Sequence, residues 1–304
     1  MTAAVARRYY LHGESKVEIA DALGISRFKV ARLLESARTE GVVRIEIVSD
    51  ETIDPELSSR LQEALGLQHC VVVAVDSDPV VARDRVGRTA ADLLVEVIGP
   101  DDVLGLPWSR TVYRMVTALT SLPPNPVVQL TGSLVLPEAG SSSDVVRRAA
   151  QIAGGEAHVF YAPMILDDAE SARIIRRQPP VSYALSQIDR VTIAVVGVGA
   201  WASGASTIHD VVSERTRHEV ARSGAIGEVC GILFDRDGQH VANSLSARLI
   251  TPSNKQLRAI PEVIGLATGI EKTRAIAAAV RSGLVTSLVT SSATAEELLA
   301  LRSQ

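Results

Sequence analysis

Residues 18–37 have the sequence EIADALGISRFKVARLLESA, which fits two short helices joined by a tight turn. Ala20 is small enough to let the helices approach closely, and Gly24 lies where such a turn needs a left-handed backbone. Val30 supplies the aliphatic side chain that packs the second helix onto the first. This spacing predicts a helix-turn-helix.

Caps and turn residues mark the helix ends around this stretch. They predict helices over 4–11, over 15–23, and from Ser26 to about Glu40, with Gly13, Gly24 and Gly41 as the ends. Ser15 and Glu18 have the spacing of a capping box. Ile25 is expected to be the buried residue of the turn. The alternating VVRIEIV over 42–48 favours a strand or wing.

The start of the third helix presents side chains suited to DNA. Packing of Val30 onto the preceding helix leaves an outward-facing set, Ser26, Arg27, Phe28, Lys29 and Arg32. No acid occurs between Asp21 and Glu35, so this face is locally positive although the chain has a net charge of −4. Arginine reads guanine bidentately or holds phosphates. The pattern predicts DNA binding; the alternative is a capped helical hairpin that serves as a dimerisation arm.

Composition excludes several classes of protein. The 304 residues are 46% hydrophobic and 22% charged, which is typical of a globular protein with room for two cores. Aromatic residues make up only 3%, which argues against a stacking platform for single-stranded nucleic acid. The apolar runs are too short to span a bilayer, and the N-terminus has no signal-peptide core. Cys70 and Cys230 each lie in a strand-like run and are expected to be buried, so we expect a cytoplasmic protein.

A composition break divides the chain into two domains. Around residues 49–54 the periodicity lapses and turn-prone polar residues collect, which predicts domains over 1–52 and 53–304. A linking helix begins at Pro55. From residue 70, eight apolar strands alternate with amphipathic helices, among them a strand EVCGILFD (228–235) and a helix HDVVSERTRHEVARSG (209–224). This alternation predicts a large doubly wound, mostly parallel α/β sheet domain.

Loops after four of these strands have the composition of anion-binding turns. They are GLPWSRT, QLTGS, VVGVGAW and ATGIEKT, each with glycine, hydroxyl or basic residues before a helix. Ligands bind at the carboxyl ends of strands in open α/β sheets. The 53–304 domain contains two lysines, Lys255 and Lys272, and Lys272 lies just past one of these loops. Ordinary strand-to-helix turns and a solvated surface lysine are the alternative interpretation.

Motifs for catalysis are scarce. The six histidines have no metal-ligand spacing, and no nucleophile elbow or Walker A sequence occurs. Asp167 and Asp168 are typical of a helix cap, and residues 235–238 (DRDG) of a hairpin turn. GVGAWASG is not a dinucleotide fingerprint, because Ala202 occupies the position of the third glycine.

Several motifs together resemble the SorC family of bacterial transcriptional regulators. They are the helix-turn-helix, VLGLPWSRTV, VVQLTGS, IAVVGVGA, GAIGEVCGILFDRDG and ATGIEKTRAIAAAVRSGLVTSLVTSSATAEELL. The resemblance covers nearly the whole chain. It implies an effector domain similar in fold to sugar-phosphate isomerases and glucosamine-6-phosphate deaminase, which senses a phosphorylated sugar without a cofactor or metal. It also implies a homodimer or homotetramer on operator DNA, with a carbohydrate-utilisation operon under control.

The resemblance also implies a ligand site. Its residues would be Ser109, Arg110, Thr111, Gln129, Thr131, Gly132, Glu228, Gly269 and Lys272. The helix start at 109–111 and Lys272 would hold phosphate, while Gln129, the 131–132 turn and Glu228 would contact hydroxyls. Pro107 and Ser109 flank Trp108 where the family has glycines, and Ser291 replaces a common acid. The acid and histidine of the enzyme relatives are absent, since AWA (200–202) stands there.

Two other classes of protein compete with a regulator. One is a sugar-phosphate isomerase or deaminase that carries an appended helical module, which would need an acid/base pair in the pocket. The other is a structural oligomerisation protein, for which the loops and the face from Arg27 to Arg32 would have no role. For a regulator, repression that the ligand releases is the default expectation, and activation is equally allowed.

Overall fold

The computed structural model of the chain describes residues 1–39, 41–43, 53–75, 78–134 and 141–302. The chain divides into two compact units, Met1–Glu51 and Thr52–Gln304. Each unit has a hydrophobic core of its own. None of the helices in these described ranges is long and apolar enough to cross a membrane.

The smaller unit contains three helices, α1 (Thr2–His12), α2 (Lys16–Leu23) and α3 (Arg27–Thr39). The capping box is confirmed, since the Glu18 N–H donates to the Ser15 hydroxyl and the Ser15 N–H donates to the Glu18 carboxylate. Gly24 ends α2 in a left-handed conformation with φ of 62°. Ile19, Ala20 and Val30 lie in the core between the helices. Ile25 is only half-buried, because it packs at the edge of that core. Most of the expected strand or wing, residues 44–48, lies outside the described residues.

The larger unit alternates strands and helices. The strands are β1 (Cys70–Val73), β2 (Leu104–Leu106), β3 (Val127–Gln129), β4 (Ala157–His158), β5 (Ile193–Ala200), β6 (Gly227–Val229), β7 (Ile232–Phe234), β8 (Glu262–Leu266) and β9 (Ser287–Ser291). The helices are α4 (Pro55–Leu65), α5 (Pro79–Val97), α6 (Arg110–Ala118), α7 (Ser142–Ala153), α8 (Ala169–Arg176), α9 (Pro179–Ser186), α10 (Thr207–Val211), α11 (Glu214–Arg222), α12 (Asn254–Ala259), α13 (Thr273–Arg281) and α14 (Ser292–Arg302).

The sheet is mostly parallel, as the sequence predicts. Its strand order is β1-β9-β8-β5-β2-β3-β4, with every neighbouring pair parallel. The short hairpin β6–β7 pairs antiparallel with the end of β5. From β2 the chain runs through β3 to β4 at one edge, whereas from β5 it runs through β8 to β9 toward the other. This reversal puts a topological switch point between β2 and β5, where ligands bind in open α/β sheets.

Strand β5 carries apolar side chains on both faces because helices cover both. Ala194 and Val196 belong to the core on one side of the sheet, and Ile193 and Val195 to the core on the other. A continuous apolar run is what a parallel strand buried on both faces requires. The unit is therefore a three-layer structure whose central strands are inaccessible except at their ends.

Two predicted elements are each split in the structure. EVCGILFD forms two strands instead of one, since Cys230 and Gly231 turn the chain with φ of 52° and 79°. Cysteine is rare at such a position, so the sequence did not reveal the turn. HDVVSERTRHEVARSG forms α10 and α11 instead of one helix, because Ser213 caps α11 by accepting from the Thr216 backbone N–H. Both cysteines are buried, as expected, but Cys230 lies in the turn and not in a strand.

Helix α5 crosses α6 at Gly87. A β-carbon at Gly87 would lie 2.6 Å from Cβ of Arg114 and 3.1 Å from the backbone N of Met115. We expect Gly87→Ala to lower the free energy of unfolding by about 1–3 kcal/mol, since overpacking outweighs the better helix propensity of alanine. Urea denaturation followed by tryptophan fluorescence measures this, because Trp108 and Trp201 both lie in the larger unit.

The matched control is Gly99→Ala. A β-carbon there would meet only Oδ2 of Asp102, at 3.4 Å. Equal stability of the two variants would show that the α5–α6 crossing tolerates a methyl group.

Candidate functional site

A cavity opens at the carboxyl ends of β2 and β5, at the switch point of the sheet. The space between its lining atoms amounts to about 680 Å³, with the open solvent at its mouth included. Its described lining contains the start of α6 on one side and the segment after β5 on the other, together with Arg83, Thr131, Glu228 and Lys272. Six of the predicted ligand residues line it, namely Ser109, Arg110, Thr111, Thr131, Glu228 and Lys272.

Two glycines of β5 make room for the polar side chains of the cavity. Gly197 and Gly199 are two residues apart and so face the same side of the strand. A β-carbon at Gly197 would lie 2.9 Å from Oγ of Ser109, and one at Gly199 would lie 2.3 Å from Oε1 of Glu228. Any side chain at either position would displace a wall of the cavity. The GVG sequence of β5 is therefore a requirement of the site.

The start of α6 forms the first wall. Ser109 caps this helix, since its Oγ accepts from the backbone N–H of Val112 at 3.1 Å. Arg110 and Thr111 follow as its first residues. The N-terminus of a helix attracts anions, because its first N–H groups have no partner within the helix and the helix dipole is positive there. This wall is suited to bind an anionic group.

Glu228 is a buried acid that also lines the cavity. Its Oε1 accepts from the Ser206 hydroxyl at 3.0 Å, and its Oε2 accepts from the Gly231 backbone N–H at 3.0 Å. Burial raises the pKa of Glu228; the hydrogen bonds from Gly231 and Ser206 and the charge of Lys272 oppose that rise. The two hydrogen bonds hold the carboxyl in one orientation.

Lys272 is the second lysine of the larger unit and contributes a cation to the cavity. It ends a short 3₁₀ turn before α13. Burial lowers the pKa of Lys272, while the charge of Glu271 raises it. No described carboxylate lies within ion-pairing distance of its ammonium. Arg83 of α5 and Arg110 of α6 also line the cavity, so three basic side chains converge on it.

Three predicted ligand residues do not line the cavity. Gln129 is fully buried; its Nε2 donates to the Thr131 carbonyl oxygen and its Oε1 accepts from the Phe160 N–H. Gly132 packs so tightly that a β-carbon would lie 2.6 Å from the Pro163 carbonyl oxygen. Gly269 adopts φ of 114° and donates its N–H to Thr294 at 2.9 Å. These residues shape the loops that carry the site but do not line the cavity.

Sequence reasoning missed Arg83 and Ser206. Arg83 lies in α5, which follows β1 at the far edge of the sheet, and no motif marks it. Ser206 ends the loop that begins with GVGAW, and testing this loop only as a nucleotide motif hid its serine. Among the described residues no group of three or more His, Cys, Asp or Glu side chains could hold a metal ion.

The smaller unit presents the predicted DNA-facing side chains. Ser26 accepts from the Lys29 backbone N–H at 3.2 Å and so caps α3. Arg27, Lys29 and Arg32 are exposed, and the Arg27 guanidinium lies 5.1 Å from the Phe28 ring centroid. Phe28 itself is 73% exposed. The start of α3 therefore presents basic and apolar side chains together.

Comparison with known proteins places the chain among regulators. The family model described as "Putative sugar-binding domain" matches residues 51–300. The transcriptional regulator LsrR of Escherichia coli (strain K12) is 29% identical over 98% of this chain and 93% of its own length. The erythritol catabolism regulatory protein EryD of Brucella abortus is 27% identical over 96% and 93%. The full-length sorbitol operon regulator SorC from Klebsiella pneumoniae superposes with a TM-score of 0.77 at 26% identity, covering 98% of this chain and 97% of that one.

A helix-turn-helix unit followed by an α/β unit with a polar cavity at its switch point defines a transcriptional regulator that binds a small molecule. The family match covers most of the chain. The chain belongs to this sugar-binding-domain family, as a transcriptional regulator of the SorC type.

Glu228 is expected to make stability depend on pH. Because its pKa is raised in the folded protein, the folded state holds the proton more tightly than the unfolded chain. Stability should therefore fall as pH rises from the unfolded pKa toward the folded pKa, with a slope of at most about 1.4 kcal/mol per pH unit. Glu228→Gln keeps an acceptor for the Gly231 N–H and should remove this slope. Urea denaturation at several pH values between 5 and 8 measures it.

Glu63→Gln removes an exposed carboxyl on α4 and is the control. If Glu228→Gln and Glu63→Gln show the same pH dependence as the wild type, Glu228 titrates normally and its buried environment has been misjudged.

Proposed function

We propose that this protein regulates a carbohydrate-utilisation operon, reads operator DNA with α3 and responds to a phosphorylated sugar bound in the cavity of the larger unit. The observation that carries the proposal is the charge arrangement of the cavity. Arg83, Arg110, Lys272 and the start of α6 line one cavity together with the buried carboxyl of Glu228. A ligand that carries both an anionic group and hydroxyls matches these two kinds of side chain.

The basic part fits a phosphate ester. Lys272 supplies a compact charge and Arg110 a planar guanidinium, and both bind phosphate oxygens strongly. The N–H groups at the start of α6 add donors and a favourable dipole. Burial lowers the pKa of Lys272, and a bound dianion would favour its charged form.

The carboxyl of Glu228 fits sugar hydroxyls. Glu228 uses one lone pair on each oxygen for Ser206 and Gly231, which leaves acceptor capacity for a ligand hydroxyl. Thr131 lines the same space and is 2% exposed. The descriptions of EryD and SorC refer to erythritol catabolism and to a sorbitol operon, which supports a carbohydrate-derived effector here.

We assign the cavity to binding and not to turnover. The described lining contains no histidine and a single carboxyl, Glu228, which Ser206 and Gly231 already hold. The relatives with a printed function are transcriptional regulators. An isomerase or deaminase activity would instead require a positioned acid and base.

Regulation follows from the thermodynamic coupling between effector binding and DNA binding. An effector that binds one arrangement of the protein better than another shifts the population competent for DNA, by no more than that difference in affinity. A two-fold operator has two half-sites, and each is bound by one helix-turn-helix unit. The protein must therefore be at least a homodimer, and a homotetramer also meets this requirement. We expect the protein to be a repressor that leaves its operator when the effector binds.

Removal of either exposed arginine of α3 should weaken operator binding. Arg27→Ala and Arg32→Ala are each expected to weaken binding about tenfold or more, as loss of a base or phosphate contact does. Fluorescence anisotropy on DNA from upstream of the protein's own gene, at about 150 mM salt, measures this. Arg215→Ala changes a highly exposed arginine of the larger unit and is the control. Unchanged affinity of both α3 variants would refute the assignment of the recognition helix.

Lys272→Met should reduce the affinity for the effector about tenfold or more, because a charged hydrogen bond to phosphate is lost. Titration with a panel of pentose and hexose phosphates, and with the unphosphorylated sugars, identifies the effector and its dependence on phosphate. The matched control is Lys255→Met, which removes the exposed lysine of the same unit. If Lys272→Met responds like the wild type, Lys272 is outside the site; if a phosphosugar is converted to product, the enzyme interpretation replaces the regulator.

A further inference from the structure

Arg110 links two walls of the cavity. Its side chain extends from the first turn of α6 to the segment after β5, where its Nη1 lies 3.5 Å from the Gly204 carbonyl oxygen. Its Nη2 lies 3.8 Å from Oδ2 of Asp210, and both side chains of this pair are partly exposed to solvent. These distances are at or beyond the long end of hydrogen bonding, so the Arg110–Asp210 pair is a weak one.

Asp210, in contrast, is held firmly. Its Oδ1 accepts from the Gly204 backbone N–H at 2.9 Å. The Arg217 guanidinium donates to the carbonyl oxygens of His209 and Asp210, both at 2.8 Å, and thereby ties the end of α10 to α11. Asp210 does not itself line the cavity. Its carboxylate is thus fixed beside a guanidinium that faces the cavity.

Arg110 would gain a stronger contact by turning from Asp210 to a bound phosphate. A phosphate at the start of α6 would accept from the guanidinium at about 2.7–2.9 Å, shorter than the present contact with Asp210. The guanidinium therefore lies between an internal carboxylate and the place where an external anion would bind.

We propose that Asp210 is an internal competitor of the effector's phosphate group, and this rests on the proposed function of the cavity. Binding of a phosphate ester exchanges the Arg110–Asp210 contact for an Arg110–phosphate contact. The exchange removes one link between α6 and the segment from Gly204 to Asp210, while the bond from the Gly204 N–H keeps the carboxylate in place. Asp210 thereby limits the affinity for phosphate and gives the segment after β5 two states that differ by effector occupancy.

The test is titration of the full-length protein with inorganic phosphate, followed as the shift in melting temperature detected by tryptophan fluorescence. Asp210→Asn keeps an oxygen for the Gly204 N–H and removes the charge. We expect its half-saturating phosphate concentration to be about three- to tenfold lower than that of the wild type. Asp237→Asn removes an exposed carboxylate from the β7 turn and should leave the concentration unchanged. In an Arg110→Gln background, Asp210→Asn should have no effect.

Three results would overturn the proposal. Equal or weaker phosphate binding by Asp210→Asn excludes competition. A gain that persists in the Arg110→Gln background, or that Asp237→Asn reproduces, makes it a general charge effect. If the wild type does not bind phosphate, both the phosphate subsite of the proposed function and the role of Asp210 are refuted. The two other results would refute the role of Asp210 alone and leave the phosphate subsite in place.

Discussion

The absence of side chains at Gly197 and Gly199 is the constraint on which the cavity depends. Ser109 and Glu228 occupy the space that β-carbons would take, at 2.9 Å and 2.3 Å. Strand β5 also lies at the point where the chain order reverses, so its end is the one place where elements from both halves of the sheet can meet. The helix start of α6, the β6–β7 hairpin and the segment after β5 all converge on this strip of bare backbone.

The cavity contains charged side chains of both signs. A buried carboxyl such as Glu228 would be costly if isolated, and here two hydrogen bonds hold it while Lys272 contributes an opposing charge. Arg83 and Arg110 also line the cavity, and burial together with their positive charges lowers the pKa of Lys272. A buried carboxyl and three basic side chains thus share one cavity.

Local signals in the sequence predicted much of this structure, and long-range packing determined the rest. The capping box at Ser15 and the left-handed Gly24 are contained within a few residues, and both are confirmed. The Cys230 turn was hidden because an uncommon residue adopts the left-handed conformation there. Gln129 was placed in the site by resemblance, yet its amide is used by the Thr131 carbonyl and the Phe160 N–H. Arg83 reaches the cavity from a distant part of the chain, and no pattern of spacing records such an approach.

The bare strip of β5 also limits which substitutions the cavity tolerates. A β-carbon would lie 2.9 Å from Ser109 at position 197 and 2.3 Å from Glu228 at position 199, so a side chain at either position would shift residues that line the cavity. The rest of the lining comes largely from loops and helix starts, such as those at Pro107 and Thr207. Substitutions that alter the shape of the cavity are therefore easier to accommodate at its rim than along this strand.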